Sequence, residues 1–271
     1  MWAVCLAAGT CTRLGTLTAQ RHKAMLPLGR FKLIDYQIRA LLRAKIDGIS
    51  IVIGHGGTDL SAYVRSNFAN VNFKFVPNQN YRDRNMDWSA LLGLRSVDDD
   101  VLYYEGDVLA APEIIADVCG CDADLCVAVE PNIRVGNVDT KVIVEGPRVK
   151  GLHFAEHAIS EPGDSCCVAG EMVCMLKLSR RTRRRAVEKL ERLDYVGSMQ
   201  LYTIFGELFE EFTCNFRATK DRPWIEIDCE QDYLRAQQIA ELLASRLGLS
   251  DGPLVASLEC GAFVNKEAGV A

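Results

Sequence analysis

The sequence lacks any run approaching the roughly 20 apolar residues that a helix needs to cross a bilayer. It also lacks a basic stretch ahead of its first apolar run, so we expect that run to be a strand rather than a secretory signal peptide. A net charge of −5 leaves no general positive excess for binding nucleic acid. These absences predict a cytoplasmic protein with neither a nucleic-acid nor a membrane partner.

No linker rich in proline, glycine and serine, no repeat and no low-complexity block divides the 271 residues. We therefore predict one domain over residues 1–249, with an insertion at about 130–175 on the acceptor side, and a loosely held tail over 250–271. The 11 cysteines show no C-x-x-C spacing, and we expect most of them to be reduced thiols.

What the sequence does contain is an alternation of strand and helix patterns. A helical pattern at 33–42 precedes a short β-branched run at 49–54, which together with the first strand forms a βαβ unit. Runs at 101–104 and 125–129 are typical of buried strands, and 141–149 alternates like a hairpin. The strongly charged segment 179–193 and the segment 232–247 have the patterns of helices. This order predicts the α/β class, with a doubly wound, mostly parallel Rossmann-like sheet and a small antiparallel insertion or lid.

The opening of the chain carries the strongest chemical signal. An apolar strand leads into a small-residue loop, and Arg13 and Lys23 follow shortly after. The backbone N–H groups of such a loop can approach a polyphosphate, while the two cations balance its charge. The residues of this segment predicted to bind a nucleotide are Leu6, Ala7, Ala8, Gly9, Thr10, Cys11 and Thr12.

Three carboxylates occupy positions that suit a divalent cation. Asp107 follows a buried strand, at the edge where α/β sheets bind ligands. Glu226 and Asp228 are two residues apart, which would place both on one face of a short strand. Magnesium prefers one or two carboxylates together with phosphate oxygens. We therefore predict Mg²⁺ on Asp107 and Asp228, with Glu226 beside them.

These motifs resemble those of nucleotidyltransferases of the MobA-like and sugar-nucleotide superfamily, whose signature reads L-A-A-G-x-G-[ST]-R-[LM] and then P-K. Cys11 stands at the second glycine of that signature, and His22 at the proline. The segment 85–91 is similar to the N-x-x-x-S-L motif of the phosphocholine cytidylyltransferase-like branch. The segment 170–173 is similar to its G-E-[FYM]-x-G motif, with Cys174 at the final glycine.

The segment 226–233 also resembles the E-I-D-x-x-x-D-[YL] motif of that branch, and the similarity covers most of residues 3–240. It implies transfer of a nucleotidyl group, usually from CTP, to a small phosphate or phosphonate such as phosphocholine or 2-aminoethylphosphonate, with release of pyrophosphate. Arg13 and Lys23 would be the catalytic cations. The resemblance further implies nucleotide contacts from Asn85, Ser89 and Glu105 and acceptor contacts from Glu171 and Tyr195.

Two other functions remain open. A sugar-1-phosphate nucleotidyltransferase using UTP, GTP or dTTP would carry the same motifs. A non-catalytic nucleotide-binding regulatory domain would keep the fold, and Cys11 in the loop favours that alternative. The joint presence of Arg13, Lys23, Asp107 and Asp228 argues against it, because a binding module does not need metal-binding carboxylates. A homodimer is compatible with either enzyme.

The chemistry of the acceptor also remains open. A choline headgroup would need an aromatic cage, because a quaternary ammonium has no hydrogen bonds to donate. A primary amine would need carboxylates, and an acidic acceptor would need arginines. The candidate cage residues are Trp88, Tyr195, Tyr202 and Trp224, and the candidate carboxylates are Glu171 and Asp194.

Two conspicuous strings have simpler interpretations. The H-x-x-E-H string at 153–157 follows a strand pattern rather than a helix, so we do not expect a zinc site there. The basic run at 180–185 is followed by Glu188 and Glu191, so we expect a charged, solvated helix face. A dimer contact or a contact with an acceptor phosphate is the alternative for that run.

Overall fold

The computed structural model of the protein describes residues 1–18, 21–132, 140–146, 148–153, 166–195 and 200–249. Its strands are β1 (Trp2–Ala7), β2 (Pro27–Leu28), β3 (Phe31–Lys32), β4 (Gly48–Ile53), β5 (Phe73–Pro77), β6 (Val101–Glu105), β7 (Val108–Ala110), β8 (Leu125–Glu130), β9 (Lys141–Glu145), β10 (Arg148–His153), β11 (Cys167–Leu178), β12 (Cys214–Ala218) and β13 (Trp224–Glu226). The α-helices are α1 (Leu33–Arg43), α2 (Gly57–Asn67), α3 (Met86–Arg95), α4 (Pro112–Cys119), α5 (Arg180–Leu190), α6 (Leu201–Glu211) and α7 (Glu230–Arg246). Two short 3-10 helices, Thr12–Leu17 and Lys23–Met25, follow β1.

A nine-stranded sheet forms the centre of the fold. The strand β1 pairs in parallel with β4 and β6, and β5 pairs in parallel with β4. The long strand β11 pairs antiparallel with β6, β8 and β9, and β10 closes that edge. The predicted α/β class with a mostly parallel central sheet is therefore confirmed. The antiparallel strands extend this sheet instead of forming a separate lid.

The alternation of side chains along β1 explains why helices cover both faces of the sheet. Ala3 and Cys5 belong to one apolar core, which α1, α2, α4 and α7 complete. Val4 belongs to a second core on the opposite face, beneath α3, α5 and α6. Successive residues of a strand point to opposite faces, so one buried strand contributes to both cores. This is the doubly wound arrangement that the sequence pattern predicts.

Two predicted helix boundaries are wrong because side chains cap the helices. The helix predicted at 232–247 begins at Glu230, since the Asp232 carboxylate accepts a hydrogen bond from the Cys229 N–H at 3.0 Å and lies in the first turn. The helix predicted at 179–193 begins at Arg180 with Ser179 as its N-cap and ends at Leu190.

The basic run at 180–185 is neutralised by acidic residues of neighbouring segments. Three of its arginines form ion pairs with Asp98, and two others pair with Asp124 and Glu211. The Arg183 side chain is buried, with its guanidinium 2.7 Å from Asp98. The run therefore attaches α5 to the segments around it, which supports the interpretation as a charged face.

The remaining sequence expectations have simple outcomes in the described part of the chain. His153 ends the strand β10, and the other residues of the H-x-x-E-H string lie outside the described residues, as does the predicted tail at 250–271. The described cysteines are free thiols. Among the helices that the structure describes, none has the length and apolar character needed to cross a membrane.

Gly106 sets the spacing between the ends of β1 and β6. Its N–H donates to the Leu6 carbonyl at 3.0 Å, and a Cβ at this position would collide with the same carbonyl oxygen. We expect Gly106→Ala to separate the two strand ends, displace the adjacent Asp107 and lower the free energy of unfolding by about 1–3 kcal/mol. Urea unfolding measures this change.

Gly206→Ala is the matched control, because Gly206 lies within α6 and a Cβ there meets no atom within 4 Å. Alanine favours a helix interior, so this variant should gain about 0.5–1 kcal/mol. A Gly106→Ala protein as stable as the wild type would contradict the close approach of the two strands.

Candidate active site

The loop after β1 has a left-handed backbone at Cys11, the position where the nucleotidyltransferase signature has its second glycine. Cys11 has φ 55° and ψ 37°, a conformation that residues with a Cβ adopt only rarely. The Thr18 hydroxyl donates to the Cys11 carbonyl at 2.8 Å and holds the turn. Cys174 replaces the final glycine of the G-E-[FYM]-x-G motif, and it also has a positive φ, of 23°. Both cysteines therefore retain a glycine-like backbone.

His22 connects this loop to the turn that carries Lys23. Its backbone has φ −65° and ψ 142°, which are values that proline also adopts. The Nδ1 atom accepts a hydrogen bond from the Ala24 N–H at 3.0 Å, and Nε2 lies 2.7 Å from the Ala7 carbonyl. Since Nδ1 is an acceptor, the proton is on Nε2, which donates to Ala7. The neutral ring thus takes the place of the proline of the resembling motif.

Lys23 and Arg13 face carboxylates from distant parts of the chain. The Lys23 Nζ lies 3.0 Å from Asp107 Oδ2 and 3.6 Å from Asp228 Oδ1, and its side chain is buried. The exposed Arg13 guanidinium lies 2.7 Å from Asp228 Oδ1. Burial alone lowers the pKa of Lys23, but the charges of Asp107 and Asp228 outweigh burial and raise it. Lys23 is therefore a buried, permanently charged cation.

Three carboxylates converge beside these cations and could hold a metal ion. Oxygens of Asp107, Glu226 and Asp228 lie within 4.8 Å of one another. The Asp107 Oδ1 atom is buried and accepts no hydrogen bond from the described residues, so it fits a metal ligand. Asp228 lies beyond the end of β13 rather than on its face, and the Ile227 N–H bond to the Asp107 carbonyl, at 3.1 Å, brings it to the site.

Glu105 lies deeper in the same acidic region. It accepts hydrogen bonds from the hydroxyls of Tyr103, at 2.9 Å, and Tyr202. Burial, followed by the charge of Asp107, raises the pKa of Glu105 to about 8. The same two causes raise the pKa of Glu226 well above its ordinary value. A site with this excess of buried carboxyl groups suits a divalent cation.

From the sequence, Tyr202 is a candidate only for an aromatic cage and Cys174 stands only at the position of a motif glycine, and neither is predicted beside the carboxylates. Tyr202 comes from α6, and the Cys174 thiol lies 3.4 Å from Glu226 Oε2. Glu105, Cys174 and Glu226 form a second group whose possible ligand atoms lie within 4.8 Å of one another. The sequence signal for Cys174 is its position at the final glycine of the G-E-[FYM]-x-G motif, which agrees with its positive φ in the structure.

A cavity of about 220 Å³ opens beside the cations and carboxylates. Most of the predicted nucleotide residues line it, whereas Thr10 and Thr12, both described, do not. Asn85 also caps α3 by accepting from the Asp87 N–H at 3.1 Å, and Ser89 accepts from the Asn78 amide at 2.9 Å. The predicted residues that line the cavity are Leu6, Ala7, Ala8, Gly9, Cys11, Lys23, Asn85, Ser89, Glu105 and Asp107.

The two predicted acceptor residues are outside the lining of this cavity. Tyr195 packs against Trp88, with ring centroids 4.9 Å apart, and its hydroxyl donates to the Leu190 carbonyl. Glu171 is buried in β11, where its backbone lies opposite Lys141 of β9 and Glu130 of β8. Their roles toward an acceptor stay predictions.

The four aromatic residues considered for a choline cage are divided among different contacts. Within the described residues, Trp88 and Tyr195 are the only two of the four in ring contact with each other. The Tyr202 hydroxyl is engaged with Glu105, and the Trp224 indole donates to Glu130 at 3.0 Å. One cage built from all four residues is therefore not formed.

A small-residue loop after β1, a buried lysine beside an exposed arginine, and converging carboxylates at the carboxyl edge of an α/β sheet define the class of protein. The family model described as the MobA-like NTP transferase domain matches residues 3–207. The chain belongs to this family of nucleotidyltransferases.

One curated relative is similar to about half of the chain. The chain is 25% identical over 132 residues to the CMP-5'-(3-aminopropyl)phosphonate synthase of Streptomyces rubellomurinus, a match covering 49% of this chain and 21% of that protein. It thus spans about a fifth of the length of that curated relative.

Solved structures share the fold at low sequence identity. A putative glucose-1-phosphate thymidylyltransferase from Bacillus anthracis superimposes with a TM-score of 0.73 and 15% identity, covering 94% of this chain and 98% of that one. The CTP:phosphocholine cytidylyltransferase of Streptococcus pneumoniae superimposes with a TM-score of 0.64 and 19% identity, covering 88% and 97%. These similarities establish the fold alone.

The buried neutral His22 predicts a specific dependence of stability on pH. Burial lowers the pKa of His22 below its ordinary 6.5, and nearby His55 and Lys23 lower it further, against the raising effect of the Ala7 carbonyl. As the pH falls below about 6.5, the unfolded chain binds this proton more readily than the folded protein, and stability is lost by up to about 1.4 kcal/mol per pH unit. Urea unfolding between neutral and mildly acidic pH measures the slope.

His22→Pro should keep the backbone conformation and show a shallower loss of stability in acid than the wild type. His22→Pro and His22→Ala both remove the ring that bonds the Ala7 carbonyl and the Ala24 N–H, so each should cost about 1–3 kcal/mol even near neutral pH. Identical pH slopes for the wild type and His22→Pro would contradict the neutral-ring assignment.

Proposed function

We propose that this protein transfers CMP from CTP to a small phosphonate or phosphate acceptor and releases pyrophosphate. The observation that carries the proposal is the convergence of Lys23 and Arg13 with Asp107, Glu226 and Asp228 beside a cavity lined by the β1 loop. Such a set of charges suits a reaction in which a polyphosphate is bound and cleaved.

The chemistry requires little beyond positioning and charge neutralisation. An acceptor phosphonate or phosphate is ionised at neutral pH, so its oxygen can attack the α-phosphorus in line without a general base. Lys23 and Arg13 would hold the triphosphate and neutralise the charge that develops on the departing pyrophosphate. A Mg²⁺ ion on Asp107 and Asp228, with Glu226 beside it, would further polarise the α-phosphate.

The choice of CTP and of a phosphonate rests on two lines of support. The curated relative is by its name a synthase of a CMP-linked aminopropylphosphonate. The segment containing Asn85 and Ser89, which resembles the cytidylyltransferase motif, lines the cavity. Fold similarity does not separate this proposal from a sugar-1-phosphate nucleotidyltransferase, because the thymidylyltransferase from Bacillus anthracis shares the same architecture.

Removal of a metal-binding carboxylate tests the catalytic role of the site. We expect Asp107→Asn or Asp228→Asn to lower kcat by about 100-fold or more. Each change removes a negative charge that would bind the metal and that pairs with Lys23 or Arg13. Asp59→Asn is the control, since Asp59 is exposed in the first turn of α2 and outside the cavity lining. Pyrophosphate release measures turnover, and circular dichroism verifies folding. A folded Asp107→Asn protein with full turnover would refute the proposal.

A substrate panel tests the choice of nucleotide and acceptor. Pyrophosphate release is followed with Mg²⁺ while CTP, UTP, ATP, GTP and dTTP are each combined with aminoalkylphosphonates, phosphocholine and hexose 1-phosphates. We expect turnover with CTP and a phosphonate or simple phosphate. Turnover restricted to a hexose 1-phosphate would establish the sugar nucleotidyltransferase instead. Nucleotide binding without turnover on any acceptor would support a regulatory domain.

A further inference from the structure

Arg84 is fixed in place by two aromatic rings at the cavity. It directly precedes Asn85, the N-cap of α3, and lines the cavity. The guanidinium carbon lies 4.5 Å from the Trp88 ring centroid and 5.3 Å from that of Tyr195. Those two rings contact each other edge to face at 77°. The half-buried guanidinium is therefore held by cation–π contacts from two separate segments.

Among the residues that the structure describes, no carboxylate pairs with Arg84. Within the described parts of the chain, no ion pair or side-chain hydrogen bond involves its guanidinium, whereas Arg13 and Lys23 both face aspartates. A guanidinium that is held over aromatic rings, and that no described side chain or carboxylate bonds, keeps N–H donors available to a ligand. Those donors match the paired oxygens of a phosphonate or phosphate group.

The same contacts exclude one kind of acceptor from the aromatic pair. Trp88 and Tyr195 are the rings that a quaternary ammonium would need, and the guanidinium already lies over both of them. A quaternary ammonium could occupy these rings only by displacing the Arg84 guanidinium, and the positive charge of Arg84 would repel it. The pair therefore serves as a support for an arginine rather than as a cage for choline.

We propose that Arg84, positioned by Trp88 and Tyr195, binds the phosphonate or phosphate group of the acceptor, and that the acceptor carries no quaternary ammonium. This inference rests on the proposed cytidylyl transfer and narrows its substrate class. Arg13 and Lys23 belong to the loop and turn after β1, whereas Arg84 reaches the cavity from the segment before α3. The cations that we propose for the triphosphate and for the acceptor thus come from separate segments of the chain.

The test compares Arg84→Gln and Arg84→Lys with Arg82→Gln. Arg82 is an exposed neighbour that bonds the Tyr81 hydroxyl at 3.1 Å and does not line the cavity. Binding of 3-aminopropylphosphonate is measured by calorimetry, and the KM of CTP and of the acceptor by pyrophosphate release. We expect Arg84→Gln to weaken phosphonate binding and raise the acceptor KM by about tenfold or more, with the KM of CTP unchanged. Arg84→Lys should be intermediate, and Arg82→Gln should behave as wild type.

Phosphocholine provides the second comparison. We expect its kcat/KM to be about tenfold or more below that of the aminoalkylphosphonate. A rise in the KM of CTP alone for Arg84→Gln would assign Arg84 to the nucleotide, and efficient turnover of phosphocholine would overturn the acceptor class. If no acceptor reacts in the wild type, the proposed function fails; unchanged phosphonate binding in Arg84→Gln would refute the role of Arg84 independently.

Discussion

The backbone hydrogen bond from the Ile227 N–H to the Asp107 carbonyl joins two segments that are distant in the chain, and the acidic site depends on it. It continues the antiparallel pairing of β13 with β7, so that Glu226 and Asp228 arrive beside Asp107. The backbone therefore determines where the carboxylates lie. The carboxylates of Asp107, Glu226 and Asp228 repel one another, so the backbone pairing of the two segments is needed to hold them close together.

Lys23 and Arg13 balance part of this repulsion. Lys23 is buried against Asp107, and His22 ties its turn to the end of β1 through hydrogen bonds on both ring nitrogens. Four carboxyl groups, those of Glu105, Asp107, Glu226 and Asp228, lie near these two cations, and burial followed by the charge of Asp107 raises the pKa values of Glu105 and Glu226. A divalent cation would relieve this excess of carboxyl groups, which links the electrostatics of the site to the chemistry proposed for it.

The parts of the fold and site that could be predicted are those encoded locally. The apolar run of β1, its small-residue loop and the strand before Asp107 each follow from a short window of sequence. The contacts of Arg84 with Trp88 and Tyr195 could not be predicted, because Tyr195 lies in a distant segment of the chain. The sequence also does not distinguish an aromatic residue at a binding site from one in the core. Asp228 was misplaced on a strand face because a two-residue spacing does not show where a strand ends.

The most direct test of the central claim is the binding of Mn²⁺, followed by electron paramagnetic resonance with CTP present, in the wild type and in Asp107→Asn. We expect the wild type to bind the ion and the variant, still folded, to lose most of this binding, because the buried Asp107 Oδ1 atom, which accepts no hydrogen bond from the described residues, would be a ligand. Equal binding of Mn²⁺ by the two proteins would contradict the assignment of the three carboxylates as the metal site of a nucleotidyltransferase.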